Sequence, residues 1–330
     1  MIMASHLEAA STIHYAHSEV CLQCPRCDGW IGHLPDTNIA DNSLLCSNCY
    51  FKLENEHGIW RALLPDRAAH LSPAMKADQC VPSTEGRGSA EYYLALPYRD
   101  LSGGNSEQWA IHSRTFRYIK RSILPEIAPK HDSHLRILDL GAGNGWLSYR
   151  LALAGHAPIA VDLLTNYCDG LGAAVHYKKH LTTLFPRFQA DIDSLPFVDD
   201  QFDLVIYHGS FHYSENYERT LAEALRCTRS EGTILIADTP WYSNESGAQQ
   251  MLSDHREAHV RRPGLPVDDI NSLKYLTDKR LQHMEASFGI HWQVHTTDLG
   301  VYRLMRPLLA KLHGTHEPAE LRIYSAKAIK

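Results

Sequence analysis

The stretch ILDLGAGNGWLSYRLALAGHAPIAVD, residues 137–162, decides how the rest of the chain is read. An apolar run holding one acid, Asp139, leads into glycines at 141, 143 and 145. A helical pattern follows, and a short apolar strand closes on a second acid, Asp162. A glycine turn between strand and helix has two physical uses. Glycine adopts backbone conformations closed to other residues and lets the chain approach a ligand. The helix behind it presents N–H groups that lack an intrahelical partner. A plain tight turn would use the same residues, but two details favour a binding site. The spacing Asp139-x-Gly141-x-Gly143-x-Gly145 departs from the G-x-G-x-x-G of dinucleotide sites. Asp162 then stands about twenty residues on, where an acid can accept both hydroxyls of a ribose.

Outward from this unit the pattern alternates. Strands are predicted at RILDL, PIAVD, RFQAD, FDLVIYHGS, GTILIADT, HWQVHTTD and LRIYSAKA. Helices are predicted at WLSYRLALAG, NYERTLAEALRCT and LTDKRLQHMEASFG, the last with Thr277 as its cap and Gly289 at its end. Upstream, Trp109, Ile111, Phe116, Ile119, Ile123 and Leu124 mark a further helix with Ser106 as its N-cap. Strands alternating with helices of this length imply an α/β fold with a doubly wound, mainly parallel sheet. Several strands are continuous apolar runs, as expected when both faces are covered.

Composition narrows the classes. With 330 residues and 44% hydrophobic content, the chain can bury one large α/β core plus a smaller unit. The net charge of −6 argues against a protein that grips nucleic acid chiefly by neutralising phosphates. No run approaches the roughly 18 apolar residues of a membrane span. The N-terminal stretch lacks a basic region followed by an apolar run, so a cytoplasmic location is expected.

The pattern D-x-G-x-G-x-G followed by an acid ending the second strand resembles class I S-adenosylmethionine-dependent methyltransferases. QADIDSLPFVDDQFDLVIYHGSFHYS resembles the next two motifs of that family, and LAEALRCTRSEGTILIADT its following helix and strand. The likeness covers roughly residues 106–330 and looks most like the small-molecule, quinone-biosynthesis-type branch. It implies a seven-stranded sheet with the last strand antiparallel. It also implies that Gly141, Ala142 and Gly143 face the methionine part of S-adenosylmethionine, with Asp139 ordering the turn or contacting the cofactor's amino group. Asp162 is implied to bind the ribose hydroxyls and Leu163 to pack on the adenine. Asp191 would accept from the adenine amine, Ile192 would offer a second face or a backbone contact, and His208 and Gly209 would lie beside the sulfonium.

Methyl transfer from a sulfonium is a one-step displacement, so placing the acceptor in line is much of the catalysis. Where a base is needed, the candidates are His212 foremost, then His208 and Tyr213, with Asp238, Trp241 and Tyr242 also near the expected strand ends. Arg261 and Arg262 offer an acidic-acceptor site or simply a solvated face. The place where nucleic-acid amino methyltransferases carry a D/N/S-P-P-aromatic motif reads HGSFHY, without proline, and no Pro-Cys pair exists anywhere. A small-molecule acceptor is therefore expected. An rRNA or tRNA base methyltransferase is the second reading, and a non-catalytic binding partner that keeps the cofactor fold is the third.

Five of the eight cysteines fall between residues 21 and 49. CPRC and CSNC place Cys24, Cys27, Cys46 and Cys49 in two C-x-x-C knuckles that can deliver four thiolates to one Zn²⁺. Cys21 creates an overlapping CLQC, so the first knuckle could instead be Cys21 with Cys24. Pro25 favours Cys24 with Cys27. The segment resembles the zinc ribbons of a small activator subunit of translation-related methyltransferases and of a bacterial rRNA guanine methyltransferase family. Residues 1–65 nevertheless hold three basic against seven acidic residues, a balance that repels phosphate. The expected organisation is a mobile N-terminus at 1–20, a zinc-ribbon module at 21–65, a linker or flap at 66–104 and the methyltransferase domain at 105–330. The ribbon is expected to be structural, docking on the larger domain or covering the acceptor site.

Overall fold

In the computed structural model the described residues are 19–35, 42–77, 88–128, 134–250, 252–253, 272–296 and 319–330. The expected mobile residues 1–18 and the Arg261–Arg262 pair lie outside them. Among the described residues the large sheet has ten strands, in the order β11 (Gln293–His295), β12 (Glu320–Lys327), β10 (Thr228–Trp241), β9 (Phe202–His208), β6 (Arg136–Leu140), β7 (Ala157–Asp162), β8 (Arg187–Gln189), β5 (Ile59–Arg61), β4 (Lys52–Glu56) and β3 (Ser43–Leu45). Its centre is built from β6 (Arg136–Leu140), β7 (Ala157–Asp162), β8 (Arg187–Gln189), β9 (Phe202–His208) and β10 (Thr228–Trp241). These pair in parallel. The last strand, β12 (Glu320–Lys327), runs antiparallel to β10, and β11 (Gln293–His295) pairs antiparallel with β12. The seven expected strands are all present, with the last reversed.

The chain winds from β6 to β7 and β8 on one side, then returns to lay β9 and β10 on the other. The crevice at the carboxyl ends of β6 and β9 is thus the switch point where such sheets bind ligands. Burial explains the strand composition. Leu138, Ile159, Val161, Val205 and Ile236 fill one face, and Ile137, Ala160, Leu204, Ile206 and Leu235 the other.

The other three strands come from the cysteine-bearing segment. There β1 (Cys21–Gln23) and β2 (Trp30–His33) form a two-stranded sheet, while β3 (Ser43–Leu45), β4 (Lys52–Glu56) and β5 (Ile59–Arg61) make an antiparallel meander. β5 then pairs in parallel with β8, extending the central sheet. The ribbon expected to dock on the larger domain or cover the acceptor site thus joins the sheet through β5. The reason is an unfilled edge: β8 presents unpaired backbone groups that β5 satisfies. His57 and Gly58, both with positive φ, turn the β4–β5 hairpin, the backbone that a two-residue hairpin requires. The buried Arg187 guanidinium donates to His57 O (3.3 Å) and Leu171 O (3.1 Å), tying that turn to the larger domain. Trp60 stacks on Phe188, and β1 bridges residues 196–198 through Gln23 N–Pro196 O and Val198 N–Cys21 O, both 3.1 Å. Leu22, Leu53 and Trp60 therefore share one core with Phe188 and Phe197.

The 66–104 segment, expected as linker or flap, contributes helices Pro65–Ala77 and Ala90–Ala95. Its Tyr92, Tyr93 and Leu96 are buried in the second core cluster, because aromatic residues in a polar stretch find apolar cover only on folding. The helix Ser106–Tyr118 starts one residue earlier than expected, with Asn105 as N-cap. Ser106 does not cap it. Its hydroxyl instead binds Asp100 Oδ2 (3.2 Å), which also accepts from Asn105 N (2.8 Å). The helix Asp278–Phe288 keeps Thr277 as cap, its side chain accepting from Arg280 N, and ends at left-handed Gly289.

Candidate active site

The glycine turn is held open by backbone conformation. Gly141, Gly143 and Gly145 have φ of +73°, +53° and +76°, all in the left-handed region. A Cβ on Gly141 would collide with Cβ of Ser210, and one on Gly145 would press on the Phe185 ring at 3.0 Å. Val161 O accepts from both Gly141 N (2.9 Å) and Ala142 N (3.0 Å), anchoring the turn to β7. Ser210 closes the other side by donating to Leu140 O (2.5 Å). Gly145 then starts the helix Trp146–Leu153.

Asp162, the last residue of β7, faces this turn. Its Oδ2 accepts from Gly143 N and its Oδ1 from Leu164 N, both at 2.7 Å. The strand end and the glycine turn thus orient each other, with the carboxylate fixed at the crevice. Asp139 sits beneath, fully buried, accepting from Ser148 Oγ (2.7 Å). Burial, with a smaller push from the Asp162 charge, raises its carboxyl to about 7 despite the Ser148 bond. The Ser148 bond ties β6 to the helix that follows the glycine turn. Leu163, which follows Asp162, and Ile192, which follows Asp191, are both half-buried.

Asp191 follows β8 and is buried. Arg67 Nε donates to its Oδ2 (2.5 Å) and Asp193 N to its Oδ1 (3.1 Å). Arg67 also donates to Glu215 Oε2 (3.0 Å), whose Oε1 lies 2.7 Å from His70 Nε2. The helix Pro65–Ala77 is thereby strapped across the end of β8. Sequence reading missed Arg67; nothing in its local pattern distinguishes it from a solvated arginine.

On the other flank, His208 ends β9, and its imidazole is 3% exposed. Its Nε2 is buried without a hydrogen-bond partner among the described residues, 3.5 Å from Asp238 Oδ2. Burial holds this imidazole down at about 4 despite the nearby Asp238 charge. Asp238 lies at the bulge of β10 with φ +54°. Its Oδ2 is 2.7 Å from His112 Nδ1 and its Oδ1 accepts from Thr115 Oγ1 (2.7 Å). Burial would raise the Asp238 carboxyl, but His208, His112 and Thr115 together hold it below its ordinary value. Gly209 next door has φ +69° and sits against the His112 ring.

His112 was missed from sequence, although Trp109, His112 and Thr115 recur at helical spacing and share the face that packs here. His212 and Tyr213 lie in the short turn after β9, their rings tilted against one another with centroids 4.3 Å apart, and Tyr213 is 49% exposed. Trp241 is covered by the Arg322 guanidinium and donates to Asp278, and Tyr242 packs in a separate cluster with Tyr275. The structure therefore groups His208 with His112 and Asp238, from a helix and a strand end.

The cysteine knuckles are built alike. Cys24 O accepts from Asp28 N (2.9 Å) and Cys46 O from Tyr50 N (3.0 Å), and both Asp28 and Tyr50 are left-handed. This folds Cys24, Cys27, Cys46 and Cys49 together, all four sulfurs within 4.8 Å of one another. The Cys24–Cys49 and Cys27–Cys46 sulfurs are 3.5 Å apart. Tetrahedral thiolates about 2.3 Å from a zinc ion stand about 3.8 Å apart, so the donor set fits one. Cys21 is outside the cluster, its sulfur 3.6 Å from His33 Nδ1, which removes the CLQC alternative.

Comparison with known proteins agrees with this geometry. Residues 138–236 match the family model described as a methyltransferase domain. An uncharacterized methyltransferase, YcgJ, of Bacillus subtilis is 28% identical over 39% of this chain and 52% of its own. Its crystal structure aligns at TM-score 0.44 and 17% identity, covering 60% of this chain and 93% of that one. A malonyl-[acyl-carrier protein] O-methyltransferase of Hamiltonella defensa is 28% identical over 38% of this chain and 46% of its own. A sarcosine/dimethylglycine N-methyltransferase of Halorhodospira halochloris is 29% identical over 49% of this chain and 57% of its own. The chain spans about half the length of these curated relatives. The segment that builds the glycine turn, Asp162, Asp191 and His208 is the one that is similar to methyltransferase domains.

Proposed function

We propose that this chain is an S-adenosylmethionine-dependent methyltransferase acting on a small molecule. One observation carries the reading: the three left-handed glycines at the switch point are locked to the β7 carboxylate through Gly143 N–Asp162 Oδ2. When bound, the cofactor supplies an electrophilic methyl group on a sulfonium. Gly141, Ala142 and Gly143 hold its methionine end, and Asp162 accepts from the ribose hydroxyls. Leu163 and Ile192 flank the adenine. Asp191 orders the adenine edge together with Arg67, which already engages it. The acceptor enters beside His208 and Gly209, so the polar groups nearest the transfer are those of the His208–Asp238–His112 cluster, with His212 and Tyr213 farther out along the turn.

The sarcosine/dimethylglycine relative supports a small-molecule acceptor by what its name states, the malonyl-[acyl-carrier protein] relative names a small acyl group held on a carrier protein, and the acidic cysteine-bearing segment supports the reading by charge. The four-cysteine cluster is assigned a structural Zn²⁺, holding the β1–β2 sheet against the larger core. The test uses methyl-labelled S-adenosylmethionine, purified protein and an extract of source cells separated into RNA, protein and small-molecule fractions. Label in the small-molecule fraction is expected. Label in RNA alone would replace this reading with a base methyltransferase, and no transfer to any fraction would favour a binding role.

A further inference from the structure

We propose that His112, His208 and Asp238 form a second metal centre, separate from the cysteine cluster, for a borderline divalent transition cation such as Zn²⁺, Fe²⁺ or Co²⁺. Three elements distant in sequence deliver the ligands: the helix Ser106–Tyr118, the end of β9 and the bulge of β10. The ligating atoms all lie within 4.8 Å of one another. Asp238 Oδ2 is 2.7 Å from His112 Nδ1 and 3.5 Å from His208 Nε2. Donors about 2.1 Å from a tetrahedral ion stand about 3.4 Å apart, so small side-chain adjustments place one ion among the three.

Two further features point to a cation. His208 Nε2 is buried and has no hydrogen-bond partner among the described residues, although it faces a carboxylate. A buried polar atom left in that state costs stability, which an ion would offset by taking the lone pair. Thr115 Oγ1 holds the far oxygen of Asp238, turning Oδ2 toward both imidazoles, as outer partners of metal ligands do. Asp238 keeps this aim with a left-handed backbone, a conformation uncommon outside glycine.

The donor set selects the metal. Two imidazoles and one carboxylate suit zinc, iron or cobalt, whereas calcium and magnesium prefer all-oxygen shells. Three protein ligands leave a four-coordinate ion one position for water or a substrate oxygen. The centre borders the glycine turn: Trp146, which follows Gly145, meets the His208 ring at 5.0 Å. On the methyltransferase reading, which this last step rests on, an acceptor hydroxyl bound there would be acidified beside the transferred methyl.

The test is a Co²⁺ titration of the full-length, metal-stripped protein, followed by metal analysis and visible absorption. Thiolate-bound cobalt gives an intense charge-transfer band, and cobalt on imidazole and carboxylate does not. Wild type is expected to take two ions per chain, only one of them producing the thiolate band. His208→Ala and, separately, His112→Gln should take one, with that band intact. One ion per chain in wild type, all of it in the thiolate band, would overturn the proposal and leave a shared proton as the occupant of the cluster. Equal stoichiometry in wild type and both variants would also overturn it. The readout is occupancy, so a protein that binds two ions yet transfers no methyl group would fail the functional reading without touching this one.

Discussion

Asp139 makes a sharp test of how the glycine turn is supported. Its carboxyl is fully buried, and burial, opposed by Ser148 and helped by Asp162, raises it from 3.8 to about 7. Between those values the folded protein keeps a proton that the unfolded chain has released. Folding takes up that proton, so this group's contribution to stability falls as pH rises through the window. At about 1.36 kcal/mol per unit, roughly three units amount to about 4 kcal/mol. Asp139→Asn keeps an oxygen for the Ser148 hydroxyl and removes the titration. The stability of the variant relative to wild type should be flat below about pH 4, rise by about 4 kcal/mol to pH ~7, and level off above. For a chain of 330 residues that corresponds to about 6 °C in melting temperature. Urea unfolding of both cofactor-free proteins across this range is the assay, since subtraction cancels the other carboxylates. Parallel stability curves would refute a buried, neutral Asp139.

Three further outcomes are expected. Asp162→Ala loses both the proposed ribose acceptor and the bond to Gly143, so calorimetry should show S-adenosylmethionine binding weakened at least about tenfold, about 1.4 kcal/mol; unchanged affinity would overturn the site. Gly58→Ala puts a Cβ 2.5 Å from the Arg187 guanidinium at a φ of +77°. Backbone strain of about 1–2 kcal/mol and a disturbed charged hydrogen bond should together cost about 3 kcal/mol in denaturant unfolding. Cys46→Ser should lose the zinc proposed for the cluster and lower the melting temperature of the whole chain, because Cys24 and Cys46 lie in the same core as Phe188 and Val205; a metal-poor variant that melts like wild type would show the segment to be energetically separate.

Local chemistry explains what the sequence by itself determined. Glycines at 141, 143 and 145, an acid ending β7, Thr277 and Gly289 as helix ends, and the paired C-x-x-C knuckles each act within a few residues. The alternation of strand and helix fixed the winding of the sheet for the same reason. Only the tertiary structure decided that β5 pairs with β8, that Arg67 reaches Asp191, and that His112 meets Asp238 and His208. These contacts join residues far apart in the sequence. They depend on which sheet edge stays open and which helix face turns inward, and no local period encodes either. The Ser106 cap failed on a smaller scale for a like reason: Asp100, folded back by its own turn, took the hydroxyl.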